Sequence, residues 1–253
     1  MVPITSIEIP PELYFMIQKH TSSTIKDESL YRLSNWFSPN FPIGSYSYSR
    51  GLESAVENRL VVNPTTLVDW IESDISHGPG WTDAVLFSHV FRSASAKNEN
   101  DLLHVAALSY ALRGSAELAL ESTAQGKAFS RAVSECWSLT EVERFRHTLA
   151  AEDIEITLPV AAALACAVAK IPQRSALFFY VQANANNLVS AAVRLIPLGQ
   201  SDGQRTLVSL EPHIGASVKN AAIEKLENLG TSTPMIELMS FAHETQYTRL
   251  FRS

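Results

Sequence analysis

The sequence predicts an all-α protein: a single compact, bundle-like domain of about ten helices. Three observations lead there. Apolar residues recur at helical spacing along most of the chain, and Pro and Gly interrupt it at intervals of one helix length. No run of four to eight β-branched residues alternates with period two strongly enough to compete with the helical period. Composition agrees, since 253 residues with 46% hydrophobic and 18% charged side chains suffice for a packed core and lie far from the disordered class.

Residues 1–28, with Pro3, Pro10 and Pro11 and no sustained period, read as a flexible N-terminal arm. The helical domain is expected over 29–242 and a C-terminal tail over 243–253. In "LYRLSNWF" Leu30, Leu33 and Phe37 share a helical face, and Pro39 with Pro42 then breaks the chain. "FPIGSYSYSRGLE", residues 41–53, is therefore a loop between helices. The next helix places Leu52, Val56 and Leu60 on one face. Asn63 caps another, with Pro64 at its first position, where the missing N–H costs nothing, and Leu67, Trp70, Ile71 and Ile75 as its buried stripe. Gly78, Pro79 and Gly80 end it.

Helices follow at about 82–96, 101–113 and 115–135. A capping box from Thr140 to Glu143 predicts a helix start near 141. The Ala-rich "LPVAAALACAVAK" begins a buried helix at about 158. A long one spans about 173–196, with Leu177, Tyr180, Val181, Asn184, Leu188, Ala191 and Leu195 along one face. Helices near 201–210, 214–229 and 234–242 complete the domain, and the abundant Ala points to close helix packing.

Composition also excludes function classes. With 20 basic against 26 acidic residues, a net charge of −6 and no basic run, nucleic acid is not an expected partner. The longest apolar stretch, Leu158 to Lys170, is too short for a bilayer, which needs about 20 residues, and no export signal is visible. A cytoplasmic protein is expected. Cys136 and Cys166 form neither a disulfide framework nor a zinc spacing.

Catalytic chemistry finds no foothold. "QGKA" at 125–128 lacks the earlier Gly and the following Ser or Thr of a phosphate loop and lies within a helix. The seven histidines make no i, i+4 pair, and "HET" at 243–245 is only the nearest approach to a metal-binding arrangement. The acids of "AEDIEI", 151–156, suit a helix N-terminus. No Ser occupies a nucleophile elbow. No enzyme is expected.

What stands out is polar and aromatic material that a core does not need. It lies in residues 41–53, in "NANNLVSAAVRLIPLGQSDGQR" (184–205) and in "HETQYTRLFRS" (243–253). Gly permits close backbone approach, Tyr46 and Tyr48 give rigid area with a polar tip, and Arg50 with Glu53 can pair charges across a contact. Tyr247, Leu250 and Phe251 with Arg249 and Arg252 have the composition of an interface anchor. The tail shows no helical period that would bury these residues, so it is expected to be mobile alone and to order on a partner.

Taken in order, the three stretches resemble the urease accessory protein UreF family, and the likeness runs from about Leu30 to Ser253. The resemblance implies a non-catalytic, homodimeric, all-helical scaffold. Its implied partners are the accessory protein UreD (also called UreH), the GTPase UreG and, through the complex, apo-urease. Ni²⁺ is implied as cargo of the assembled complex, with no cofactor held stably and no metal ligands on this chain. The implied partner-binding positions are Pro42, Gly44, Tyr46, Ser47, Tyr48, Gly51, Leu52 and Glu53 in the first stretch. Asn187, Ser190, Arg194, Pro197, Gly199 and Gln200 match in the second, and Glu244, Gln246, Tyr247, Arg249, Leu250 and Phe251 in the tail. A direct nickel-binding metallochaperone and a helical enzyme are the alternatives.

Overall fold

The computed structural model describes residues 25–253 and is all-helical, with no strand among those residues. The expected arm lies outside the described residues as far as residue 24. Helix α1 spans Asp27–Trp36, and a single 3₁₀ turn, Ser45–Ser47, interrupts the loop to α2, Leu52–Glu57. Then come α3 (Pro64–His77), α4 (Pro79–Ser95), α5 (Glu99–Ala111), α6 (Ala116–Trp137) and α7 (Thr140–Ala151). The chain continues with α8 (Leu158–Val168), α9 (Gln173–Leu195), α10 (Gln200–Ala221) and α11 (Pro234–Glu244).

The centre of the bundle is α8. Every residue from Leu158 to Cys166 is buried, so this helix has no solvent face, and it packs between α4 and α6. Its alanines let the neighbouring backbones approach closely. Gly126 on α6 shows how closely: a Cβ there would sit 2.4 Å from the Ile156 carbonyl oxygen at the entry to α8. That contact, and not a phosphate, accounts for the glycine of "QGKA". On the other side α9 packs along α10, and α10 along α3.

Side-chain caps hold some of the helix starts. The Asn63 side chain accepts from Thr66 N–H while the Thr66 hydroxyl accepts from Asn63 N–H, a reciprocal cap, and Ser115 accepts from Leu118 N–H at the head of α6. Gly78 ends α3 and begins α4, so the helix expected from 82 starts at Pro79. Its first turn is held by Asp74, whose Oδ1 accepts from Gly80 N–H at 3.0 Å.

Four local expectations are corrected. Thr140 is the first residue of α7 and not its cap, because Glu143 turns away to Ser130 Oγ (2.7 Å) and Arg146. The helices expected at 201–210 and 214–229 are one, α10, which carries Pro212 inside it and stops at Ala221. Pro212 faces solvent, while Leu210, Ile214, Val218 and Ala221 keep one buried stripe running past it. Burial of that stripe outweighs a proline penalty of about 3 kcal/mol. In α1 the buried face is Ser29, Leu33 and Trp36, and Leu30 is exposed. Fourth, the tail is not free: Phe251 and Ser253 are buried against the domain.

Gly126→Ala drives a methyl group into backbone that a side-chain rotation cannot clear. It is expected to cost about 1–3 kcal/mol, as overpacking does, read as a lower denaturant midpoint in equilibrium unfolding at unchanged slope.

Candidate functional site

The three stretches singled out in the sequence converge in space. The loop turns into α2 through two successive left-handed residues, Arg50 (φ 54°) and Gly51 (φ 76°). At Gly51 the backbone of α11 lies so close that a Cβ would meet Ser240 N at 2.7 Å. No other residue fits both the conformation and the space. This turn aims Glu53 at the tail, where its carboxylate accepts from Leu250 N–H (2.6 Å) and Phe251 N–H (2.9 Å).

Further bonds knit loop to tail. Arg252 N–H donates to the Ser47 carbonyl at 2.8 Å, and Ser49 donates both its N–H (2.7 Å) and its hydroxyl to the main-chain oxygen of Ser253. Helix α9 closes the third side. Asn187 donates to the Tyr48 carbonyl at 3.1 Å and Arg194 to the Tyr46 carbonyl at 2.9 Å, and the Arg194 guanidinium lies 4.3 Å above the Phe251 ring centre. Partial burial pulls the Arg194 pKa below the usual arginine value.

Beneath this interlock lie charges. His243, fully buried, is bonded at Nδ1 to Glu117 (2.6 Å) and at Nε2 to Glu53 (3.1 Å), and Arg249 pairs with Glu117 at 2.7 Å. The Ser253 hydroxyl donates to Glu121. Glu121 in turn faces Arg50 at 3.3 Å, and Arg50 also reaches Asp83 at 3.4 Å and Asp74 at 3.9 Å. Arg113 holds Asp83 from the other side at 2.8 Å. Burial works against the Arg50 charge, but the carboxylates of Glu121, Asp83 and Asp74 more than offset it and hold the guanidinium above its ordinary pKa. Burial raises the Asp74 carboxyl against the counter-pull of Arg50 and the Gly80 N–H. Among the described residues no three His, Cys, Asp or Glu side chains are grouped to hold a metal ion.

Several expected roles change with this geometry. Tyr48, Gly51, Leu52, Glu53 and Phe251, read as presented to a partner, are buried within the chain, where they hold the tail. Arg50 and Glu53 do not pair; each takes a different set of partners. Glu244 caps α6 by accepting from Ala116 N–H at 2.9 Å, and Gln246 donates to the Thr248 carbonyl. Pro42, Tyr46, Arg194, Gln200, Tyr247, Arg249 and Leu250 are exposed, Tyr46 by 67% and Tyr247 completely; Gly44 and Ser47 lie half-buried beside them. Arg194 and Gln200 line one groove of about 550 Å³ between the Pro39 turn, α9 and α10.

The sequence reading missed Glu117, Glu121, Asp74, Asp83 and Arg113. The signal was present for the first two: in "AELALES" two acids four residues apart sit on the face of α6 that also carries buried Leu118 and Ser122.

Comparisons with known proteins give the chain its family. The family model described as UreF matches residues 61–211. A urease accessory protein UreF of Granulibacter bethesdensis is 45% identical over 233 residues, covering 92% of this chain and 97% of its own length. Proteins of the same name from Rhodopseudomonas palustris (strain BisB5) and Bradyrhizobium diazoefficiens are 42% and 40% identical, over 91% and 89% of this chain and 94% and 92% of theirs. A chain so matched, with its signatures folded into one interlocked surface, is an accessory protein of a non-catalytic class. It belongs to the UreF family.

Removing the Glu53 carboxylate leaves two backbone N–H groups and the Nε2 of His243 without their partner. In hydrogen exchange the Leu250 and Phe251 amides of Glu53→Ala are expected to exchange at least about tenfold faster than wild type, and those of Glu53→Gln, which keeps one acceptor oxygen, to fall between.

Proposed function

We propose that the chain is a scaffold of nickel-urease maturation: as a homodimer in the cytoplasm it joins UreD (UreH) and the GTPase UreG, and the assembly delivers Ni²⁺ to apo-urease. Nickel is cargo of the complex and not a resident cofactor of this chain. The observation that carries the reading is the interlock itself. Three stretches far apart in sequence spend their polar groups on fixing one another, and the side chains left over are aromatic, aliphatic and cationic groups held on a rigid frame.

Such groups have the character of interface anchors, because the backbone that carries them is already ordered before a partner arrives. Two faces are available. Tyr247 and Leu250 project from the docked tail; this is the face we assign to UreD (UreH). Tyr46 with the groove at Arg194 and Gln200 lies on the α9 side, and this face is assigned to UreG, through which the scaffold modulates GTP hydrolysis.

Tyr247→Ser with Leu250→Ser changes solvent-facing groups only, so the variant is expected to fold as wild type by circular dichroism and to bind UreD (UreH) at least about tenfold more weakly in co-purification. Normal assembly and normal urease activation by this variant would sink the assignment of that face. Tyr46→Ala is expected to keep UreD (UreH) and lose UreG, measured by sizing of the co-expressed complex; retention of UreG at wild-type stoichiometry argues against the second assignment.

A further inference from the structure

The groove of about 550 Å³ between the Pro39 turn, α9 and α10 has a single charged residue in its lining, Arg194, and no carboxylate. That cation is held in place. Its Nε donates to the Ser190 carbonyl at 3.2 Å, its Nη2 to the Tyr46 carbonyl at 2.9 Å, and the guanidinium lies over the Phe251 ring. All three contacts are neutral, so they fix the position of the guanidinium without answering its charge, and they leave Nη1 over. Arg50, Arg113, Arg146, Arg205 and Arg249 each have a carboxylate partner. Arg194 differs: burial alone moves its pKa, downward, with no carboxylate pulling the other way. Asp202, on α10 between the lining residues Gln200 and Gly203, is spent on Gly199 N–H at 3.2 Å and on Arg205.

The rest of the lining bears on what would carry the anion. Gln182, Asn186, Gln200 and Gln204 bring side-chain amides to the groove, each with a donor and an acceptor end, beside the apolar Val189, Val193 and Leu207. An extended peptide alternates N–H and C=O and can use both ends of such amides. A free phosphate offers mainly acceptors and carries more charge than a single arginine answers. A carboxylate on a peptide matches the groove in both respects, since it takes a charge-assisted hydrogen bond from Arg194 while its main chain meets the amides.

We propose that this groove receives an extended acidic segment of a protein partner, with an aspartate or glutamate carboxylate seated on Arg194. The identity of that partner as UreG rests on the assignment of this face above, whereas the preference for an acidic segment is measured on the full chain alone. The probes are the peptide acetyl-Ala-Ala-Glu-Ala-Ala-amide, its counterparts with Gln or Lys at the centre, and inorganic phosphate, followed through the amide resonances of Ser190, Gly203 and Gln204. The Glu peptide is expected to shift all three, with a Kd at least about fivefold below that of the Gln peptide. Arg194→Gln is expected to level the two. Gln204 is exposed, and Gln204→Glu keeps its shape while placing a competing carboxylate in the groove. This variant is expected to bind the Glu peptide at least about threefold more weakly, with the Phe251 amide at its wild-type shift, the sign of a closed clasp. A Gln peptide, Lys peptide or phosphate that binds as tightly as the Glu peptide, or Glu-peptide binding indifferent to Gln204→Glu, overturns the acidic preference. In co-expression, Gln204→Glu that retains UreG at wild-type stoichiometry overturns the partner role and leaves the scaffold reading intact. A Tyr46→Ala complex that keeps UreG, or a wild-type chain that forms no complex, overturns the reading of the face, and the peptide titration still decides the chemistry of the groove.

Discussion

The architecture depends on the burial of Arg50. A guanidinium taken out of water is tolerated only where carboxylates and hydrogen-bond acceptors replace the lost hydration, and here they come from three helices: Asp74 of α3, Asp83 of α4 and Glu121 of α6. One side chain in a loop thereby specifies how those helices stand to one another. Breaking such a buried pair from one side costs about 3–5 kcal/mol, because the surviving charge keeps its desolvation penalty. The same residue takes a left-handed backbone conformation next to Gly51, so electrostatic demand and chain reversal are met at one point. The direction of α2, and with it Glu53 and the docking of the tail, follows.

This arrangement differs from a catalytic site in what its polar groups do. A general acid or base must be free to exchange a proton with a substrate. In this protein Glu53, Glu117, Glu121 and His243 are each committed to internal donors or acceptors. The polar centre acts as mortar, and its chemistry is spent on holding shape.

Helices were legible in the sequence wherever burial and punctuation agreed. Asn63 with Pro64 marks a start that the structure keeps. The stripe of α3 is the buried stripe, and α8 is buried from Leu158 to Cys166. The break expected between 210 and 214 is absent because long-range packing of Leu210 and Ile214 carries the helix through Pro212 against that residue's local propensity. The site was half legible. Its residues stand out in the sequence as polar or aromatic groups without a core role, yet their contacts join positions about 200 apart (separations of 190, 198 and 204 for His243, Phe251 and Ser253). No local period encodes such a contact. The tail lacks a helical face because backbone hydrogen bonds to Glu53, Ser47 and Ser49 fix it in place of a buried stripe.

The clasp between loop and tail also carries information about time. Because it joins residues about 200 positions apart (separations of 198 and 204), it stays open until α6 and α9 stand where Glu121 and Arg194 can receive the tail, and such long-range closures come late in folding. The surface that carries Tyr46, Tyr247 and Leu250 is therefore completed last. A chain whose tail is released keeps the packing of α8 between α4 and α6 and loses the frame that positions Tyr46, Tyr247 and Leu250.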